Sequence, residues 1–350
     1  MAGATNPLVA TVIPILNEQD NIADCLGSIA NQTLSKDQHI IVVLDGGSTD
    51  KSIQIIEQFI EQNSDGPEII LAKNDGKYVA EARNLAMELV PNSVKYFLEI
   101  IGHCTVSETH IATLLDEMER LESINKQPIG ALGSKVTTRI GQLELVESWV
   151  EGALSSPLGS GSGQFDNFTG TVKTSVPAFC LHSREAIELV GGWNTDFITS
   201  QDSDLSMRMI DAGFLLFKTD LVKVGMTKRK SLDSWSKMGF RYGFWRTKTV
   251  LRHPKRLRLR EFFPWFGVIL TSILLMTSSP FWFVPATLYG VTLILESIRL
   301  VLLKRRISLL FGLPICIFLL HFMFSLGLIY GLIGKPSSFN DRESKDGNSQ

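Results

Sequence analysis

The chain has 350 residues, 44% of them hydrophobic, and a formal net charge of −2, enough length for one large domain and an appendage. The small net charge hides an asymmetry: from Lys223 to Arg260, thirteen Lys and Arg stand against one acid, Asp233. No nucleic-acid module accompanies that basic block, so it reads as a surface for anionic lipid headgroups and no nucleic-acid partner is expected. The four cysteines (Cys25, Cys104, Cys180, Cys316) lack metal-ligand spacing and read as reduced thiols. Met1 to Ala10 has neither a basic n-region nor a long apolar h-region, so no signal peptide is expected there.

The first element is the run Val12-Ile13-Pro14-Ile15-Leu16-Asn17-Glu18, a buried-type strand that ends in an acid. Asn21 to Asn31 has helical spacing (Ile22, Leu26, Ile29), with Asp20 or Asn21 as its N-cap. Asn31-Gln32-Thr33 and, later, Asn167-Phe168-Thr169 fit the glycosylation sequon, inert in a cytosolic domain. Ile40 to Asp45, followed by Gly46-Gly47-Ser48-Thr49-Asp50, repeats the strand-then-acid form. Continuous aliphatic runs suit a parallel sheet covered on both faces, and ligands of such sheets bind at the carboxyl ends of the strands. Glu18 and Asp45 are therefore expected on the rim of one crevice, although acids at strand ends also simply cap helices. Ser48-Thr49-Asp50 is expected to cap a helix carrying Ile53, Ile56 and Ile60. Glu68 to Lys73 reads as a third strand, Val79 to Val90 as a helix, and Lys95 to Ile101 as a fourth strand, an order that predicts a doubly wound α/β domain.

Further along, Ser155 to Gly163 is glycine- and serine-rich and is expected to be a mobile loop of the active site. Apolar segments follow the basic block. Phe281 to Leu303 and Ile307 to Gly334 are long enough to span a bilayer; Phe262 to Thr277 is shorter than the ~20 residues required. Two to three transmembrane helices are thus expected over 263–334. The basic run Lys304-Arg305-Arg306 should be cytoplasmic, and 335–350 reads as a disordered tail.

Four motifs in one order give this chain a family resemblance. They are the two strand ends above, Gly76 through Ala82-Arg83-Asn84, the stretch Glu99-Ile100-Ile101-Gly102-His103, and Gly191-Gly192-Trp193-Asn194 followed by Gln201-Asp202-Ser203-Asp204-Leu205 and Arg208. In this order they resemble the family 2 glycosyltransferases of the GT-A fold, in particular membrane-attached enzymes of bacterial exopolysaccharide (succinoglycan-type) assembly. The resemblance spans about residues 8 to 262 of the sequence.

It implies a GT-A domain over 1–222 and a basic amphipathic interfacial segment over 223–262. By position it implies a nucleotide-diphosphate sugar, a UDP-sugar foremost, bound near Pro14, Leu16, Glu18 and Asp45. Lys77 and Arg83 are expected near the diphosphate, because a helix N-terminus with cations suits phosphate. Asp202 takes the place of the general base of an inverting transfer, with Gln201 beside it where the family more often has Glu. Asp204 and Arg208, four apart on one helix, are expected to brace each other. Arg241 and Arg246, on a helix mixing aromatic and basic residues, are expected on the phosphate or acceptor side. The resemblance also implies Mg²⁺ or Mn²⁺ held by Asp-x-Asp or Asp-x-His. Here the place reads Ile101-Gly102-His103: His103 fits as second ligand, but isoleucine binds no cation. Glu99, on the same strand face as Ile101, is the other candidate ligand. Divalent-ion dependence weaker than the family norm is expected, and Ile101→Asp is expected to restore a ligand.

These features predict a multi-pass protein of the inner or plasma membrane with a cytoplasmic catalytic domain, acting on a lipid-linked saccharide acceptor. The alternatives are a polyprenyl-phosphate monosaccharide synthase, a nucleotide-sugar-binding protein without catalysis, supported by Ile101, and a transporter, which would need polar groups such as Glu296 and His321 inside its spans.

Overall fold

A computed structural model of the chain describes residues 6–139, 141–160, 165 and 168–335. The expected tail beyond Lys335 and the sequon asparagine Asn167 lie outside the described residues. Two compact units are present: Met1–Gln142 with Ser162–Thr227, and Leu143–Gly161 with Lys228–Gln350.

The first unit begins as a parallel sheet. Strands β1 (Val9–Ile15), β2 (His39–Asp45), β3 (Glu68–Lys73) and β4 (Tyr96–Glu99) are linked by helices α1 (Ile22–Ala30), α2 (Ser52–Gln62) and α3 (Val79–Leu89). Buried residues of α1 fall at helical spacing (Ile22, Cys25, Leu26, Ile29). Asn21 holds the N-cap position without a side-chain cap bond. At α2 the N-cap position is Lys51, without a side-chain cap bond; Asp50, one residue earlier, accepts from the Ser52 amide of the first turn at 2.9 Å. Short β5 (Cys104–Val106), α4 (His110–Ile124) and β6 (Ile129–Thr138) follow. The chain then leaves for α5 (Leu145–Ser155) and α6 (Pro157–Ser160), which belong to the second unit, and returns with β7 (Thr171–Lys173), β8 (Cys180–Ser183), α7 (Arg184–Leu189), α8 (Gln201–Asp211) and β9 (Leu215–Met226).

The sheet runs β3-β2-β1-β4-β8-β6-β9-β5, with β7 also on β9. Its β8 is antiparallel to both β4 and β6, so the sheet is mixed. Successive residues of β2 alternate between two cores: Ile41 and Val43 join Ile22, Leu26 and Ile56 on one face, Val42 and Leu44 join Ala80, Ala86 and Leu205 on the other. Both faces are covered, which is why the strand is apolar throughout. The chain winds from β1 outward through β2 and β3, then returns to place β4 on the opposite edge of β1. That makes the carboxyl ends of β1 and β4 the topological switch point, where open α/β sheets bind ligands.

The second unit is helical. Of the segment expected as a mobile loop, Ser155 ends α5 and Pro157–Ser160 form α6, both grouped with the C-terminal helices, and 161–163 lie outside the described residues. The C-terminal helices are α9 (Leu232–Arg252), α10 (Phe263–Met276), α11 (Val284–Lys304) and α12 (Leu309–Ile333). The last two are long and apolar enough to cross a membrane, with mean hydropathy 1.7 and 2.3, and only 17% and 28% of their most apolar windows is buried. Large apolar side chains such as Phe266, Leu295, Leu302, Phe318 and Phe322 face outward.

Helix α9, within the segment expected to be interfacial, packs along α12. It crosses α12 so closely that a Cβ on Gly243 would collide with the Phe324 carbonyl, and one on Gly327 with that of Phe240. Its aromatics Trp235, Phe244 and Trp245 are buried, and Trp235 Nε1 donates to the Cys316 carbonyl at 2.8 Å. Small-residue crossings of this kind are typical of helices that pack within a bilayer. The polar groups of the apolar helices have local partners. Glu296 accepts from Ser156 Oγ at 2.7 Å and pairs with Arg299, and His321 joins Tyr289 and the Leu158 carbonyl, each at 2.9 Å.

Candidate active site

Two loops at the carboxyl ends of β1 and β2 are laced together. Asn17, in the left-handed region at φ 55°, accepts from the Thr49 amide at 2.8 Å, and its own amide donates to Ser48 Oγ at 2.9 Å. The Glu18 amide donates to Ser52 Oγ at 2.7 Å, and that of Gln19 to Asp50 at 3.1 Å. Pro14 and Leu16 lie half-buried at the exit of β1. Asp45 pairs in register with Ile15 and is 7% exposed; its carboxylate accepts from the amides of Gly47 and Ser48, both at 3.0 Å. The acid that the sequence assigns to a ligand thus also shapes the turn after β2. Lys77 is exposed at φ 65° before α3, and its carbonyl would lie 2.7 Å from a Cβ at Gly46.

Arg83 and Glu99 depart from their expected places. Neither stands on the rim: Arg83 is 6% exposed and Glu99 5%, and Arg83 Nη1 lies 3.0 Å from Glu99 Oε1. The same oxygen lies 3.1 Å from His182 Nε2 and accepts from Trp193 Nε1 at 3.2 Å. Burial by itself would raise this carboxyl, but Arg83, His182 and the indole overcome it and hold Glu99 down at about 2. Asn84 completes the arrangement by exchanging two hydrogen bonds with the Trp193 backbone, at 2.8 and 2.9 Å. Ala82-Arg83-Asn84 therefore anchors the Gly191-Gly192-Trp193 turn to the sheet; its arginine is spent on a buried partner, not held out to a diphosphate. His182 stands in none of the sequence motifs, and Trp193 stands in one without an assigned partner. The available signal was Glu99 itself, since an acid inside a buried strand needs a counter-charge from another element.

At the switch point stand Glu18 and His103. His103 Nδ1 donates to Glu18 Oε1 at 2.7 Å, with side chains 29% and 16% exposed. The Glu18 side chain lies over Gly102, where a Cβ would come within 2.8 Å of its Cγ. Ile101 packs against the apolar cluster of β1, α1 and α4.

Asp202 lies in the first turn of α8, where its Oδ1 accepts from the Ser203 amide at 2.8 Å. Ser200, before it, is held at φ 67°, an uncommon conformation for a side-chain-bearing residue. Gln201 Oε1 is buried without a hydrogen-bond partner. The Cys180 thiol is pushed well above its ordinary value by burial, then by the charges of Glu99 and Asp202, which places Asp202 in the electrostatic neighbourhood of the buried network. Asp204 and Arg208 form the expected brace at 2.8 Å, and Arg208 also donates to the carbonyls of Val190 and, at 2.8 Å, Gly192. Gly192 has φ 74°, and a Cβ there would sit 2.7 Å from Asn84 Oδ1, so only glycine suits this turn. Arg241 and Arg246 belong to the second unit. Arg246 is matched within that unit by Glu261 at 3.1 Å and so is not an unpaired cation.

The donor set fits a divalent ion poorly. Ile101 offers no ligand atom and faces the core. Ligand atoms of Glu99, Cys180 and His182 lie within 4.8 Å of one another, but Arg83 shares the Glu99 oxygen and burial keeps the thiol protonated. A cation there would meet a guanidinium. Glu18 and His103 provide one carboxylate and one imidazole; Nδ1 faces Glu18 Oε1, which leaves Nε2 as the one ring nitrogen for a ligand.

An open α/β sheet with acids at its switch point and a further carboxylate at the start of α8 is the architecture of a GT-A-type glycosyltransferase. Residues 11–190 match the Glycosyl transferase family 2, and the chain belongs to that family. It is 25% identical over 332 residues to the dolichyl N-acetyl-α-D-glucosaminyl phosphate 3-β-D-2,3-diacetamido-2,3-dideoxy-β-D-glucuronosyltransferase of Methanococcus voltae, covering 95% of this chain and 99% of that one. It is also 25% identical over 290 residues to the succinoglycan biosynthesis protein ExoA of Rhizobium meliloti, covering 80% and 84%. Among solved structures it resembles the mannosyltransferase PcManGT of Pyrobaculum calidifontis, bound to GDP-Man and Mn²⁺, with a TM-score of 0.59 at 14% identity over 94% of this chain and 88% of that one; this likeness shows the fold alone.

Proposed function

We propose that this protein transfers a sugar, with inversion, from a nucleoside-diphosphate sugar to a saccharide carried on a polyprenyl phosphate or diphosphate lipid. One observation carries the reading: the same chain holds a family 2 site with a carboxylate at Asp202 and two helices of membrane-crossing length whose apolar faces point outward. A lipid-borne acceptor explains why the two occur together. The similarity to the Methanococcus voltae enzyme, which extends through the C-terminal helices, supports the same acceptor class.

In this reading the nucleoside lies along the ends of β2 and β1, near Asp45, Pro14 and Leu16. Asp202 removes the proton of the acceptor hydroxyl as its oxygen attacks the anomeric carbon. The helices α11 and α12 anchor the protein in the membrane, with Lys304-Arg305-Arg306 and the catalytic unit on the cytoplasmic side. The full chain in nanodiscs, offered a panel of UDP-, GDP- and dTDP-sugars, should glycosylate a polyprenyl-linked saccharide and leave the corresponding free saccharide nearly untouched. Transfer to polyprenyl phosphate itself would instead identify a monosaccharide-lipid synthase. Equal rates on free and lipid-linked saccharide would overturn the acceptor assignment.

A further inference from the structure

We infer that α12 does not cross the bilayer: it lies along one leaflet, with its outer face in lipid and α9 on its water side. The inference concerns how the second unit meets the membrane and is independent of the transferase reading.

Length and hydropathy alone allow α12 to cross. Its surroundings argue otherwise. With about 3.6 residues per turn, Leu309, Leu313, Cys316, Leu320, Gly327 and Gly331 fall on one side of the helix, and all are buried. Phe311, Ile315, Phe318, Phe322, Ile329 and Ile333 fall on the opposite side, and all are exposed. Along the inner side runs α9, in the same direction as α12. Trp235 of α9 bonds to the Cys316 carbonyl, and Gly239 abuts Leu320. Further on, Thr247 Oγ1 donates to the Leu328 carbonyl at 2.9 Å, and Lys248 Nζ donates to the Gly334 carbonyl at 2.7 Å. From Cys316 to Gly334 is about 27 Å of helix, close to the ~30 Å of a hydrocarbon core. A crossing α12 would therefore carry α9 through the hydrocarbon beside it.

Helix α9 is not built for that place. Lys237, two residues before Gly239 and so level with the middle of α12, has a side chain 66% exposed; it pairs at 2.9 Å with Asp233, 72% exposed. Arg252 at the end of α9 is exposed as well. Charged side chains at the depth of the bilayer centre are costly, and an exposed ion pair there has no water around it. The first half of α12 has a polar neighbour too. Gly152 of α5 packs against Leu309, and Glu151 of α5 lies 3.9 Å from Lys304 at the end of α11. Laid in the plane of the interface, α12 puts its exposed phenylalanines and isoleucines into the acyl boundary and leaves the α9 cations among headgroups and water. Anionic headgroups suit those cations, so the occupant of this face is a single leaflet containing acidic lipid. The helix needs no polar face of its own because α9 supplies it; the pair together is the amphipathic element.

The test uses the full chain in liposomes of phosphatidylcholine and phosphatidylglycerol. The four native cysteines are buried, so added ones report. Lys237→Cys, Arg306→Cys and a cysteine appended after Gln350 are each treated with a membrane-impermeant maleimide. We expect all three to be labelled to the same fraction in intact vesicles, because both ends of α12 and the flank of α9 lie on one side. A fluorophore on Phe311→Cys, Phe322→Cys or Ile333→Cys should be quenched by brominated lipids at one shallow depth, about 5–10 Å into the headgroup and acyl boundary. The appended cysteine alters no residue of the chain, and Lys237 and Arg306 are exposed, so the labelling stands even if changes within α12 disturb folding. Labelling of the appended cysteine from the side opposite Arg306→Cys, or a shallow, deep and again shallow profile along α12, would establish a crossing helix and overturn the inference. So would a Lys237→Cys variant that resists the maleimide until detergent is added.

Discussion

Asp202 carries the chemistry in the proposed reaction, and its replacement separates catalysis from binding. Asp202→Asn keeps the size and the acceptor for the Ser203 amide while removing the base. Transfer should fall about 10²–10⁴-fold with donor binding nearly unchanged, read by initial rates beside nucleotide calorimetry; wild-type turnover would remove Asp202 from the mechanism. Ile101 asks the opposite question. By sequence alone, Ile101→Asp should restore a metal ligand. In the folded protein the side chain faces an apolar cluster, so the new carboxylate should cost about 2–3 kcal/mol of stability without tightening Mn²⁺ binding. Thermal unfolding with and without Mn²⁺ checks this; tighter binding at unchanged stability would mean the side chain turns into the crevice instead.

Two packing arrangements decide how elements hold together. In the first unit, Glu99 of β4, Arg83 of α3, His182 of β8 and Trp193 form one buried network. Removing a single partner leaves an unmatched buried charge. Glu99→Gln should therefore destabilise by about 3–5 kcal/mol and lower the unfolding midpoint by on the order of 10 °C, whereas Glu99→Gln combined with Arg83→Met should recover a large part of the loss. Additive losses in the double variant would show that the pair does not act as a unit. In the second unit the α9–α12 crossing depends on Gly243 and Gly327. Gly243→Leu should force the helices apart, seen as a lower midpoint in detergent and faster proteolysis between α9 and α10; an unaltered midpoint would contradict the close crossing. The sequence presented α9 as an aromatic and basic interfacial helix because its composition fits one. Its burial depends on small residues 84 positions apart meeting face to face, which no local pattern records.

For the molecule as a whole, acid should be the destabilising direction. His39 shares a hydrogen bond with Thr11 and His110 with Ser134, and burial lowers both imidazoles from 6.5 to about 4. Between those values the unfolded chain binds more protons than the folded one, so stability is full above about pH 6.5 and falls as pH drops toward 4. Each histidine contributes about 3 kcal/mol of that loss at the lower end. Glu99, depressed to about 2, adds a loss of the same sign in a lower window, below its ordinary 4.5. The unfolding midpoint should be flat from pH 8 to 7 and fall steadily to pH 4, and His39→Gln and His110→Gln should each flatten the slope. Unchanged slopes in both variants would assign the acid response to other groups.

What the amino-acid sequence determined by itself was whatever is written in short range or in fixed order. The buried strands showed as unbroken aliphatic runs, α1 as apolar residues at helical spacing, the membrane-length helices as long apolar segments, and the family as four motifs in sequence, with the Asp204–Arg208 brace set by a four-residue spacing. Only the tertiary structure decided which charges meet. Strand order brought Glu18 beside His103 across 85 residues and turned Arg83 and Glu99 inward upon each other. It grouped Leu143–Gly161 with the C-terminal helices. The physical reason is common to all of these: a side chain's role follows from its burial and from the partner that neutralises it, and both are fixed by packing between elements distant along the chain.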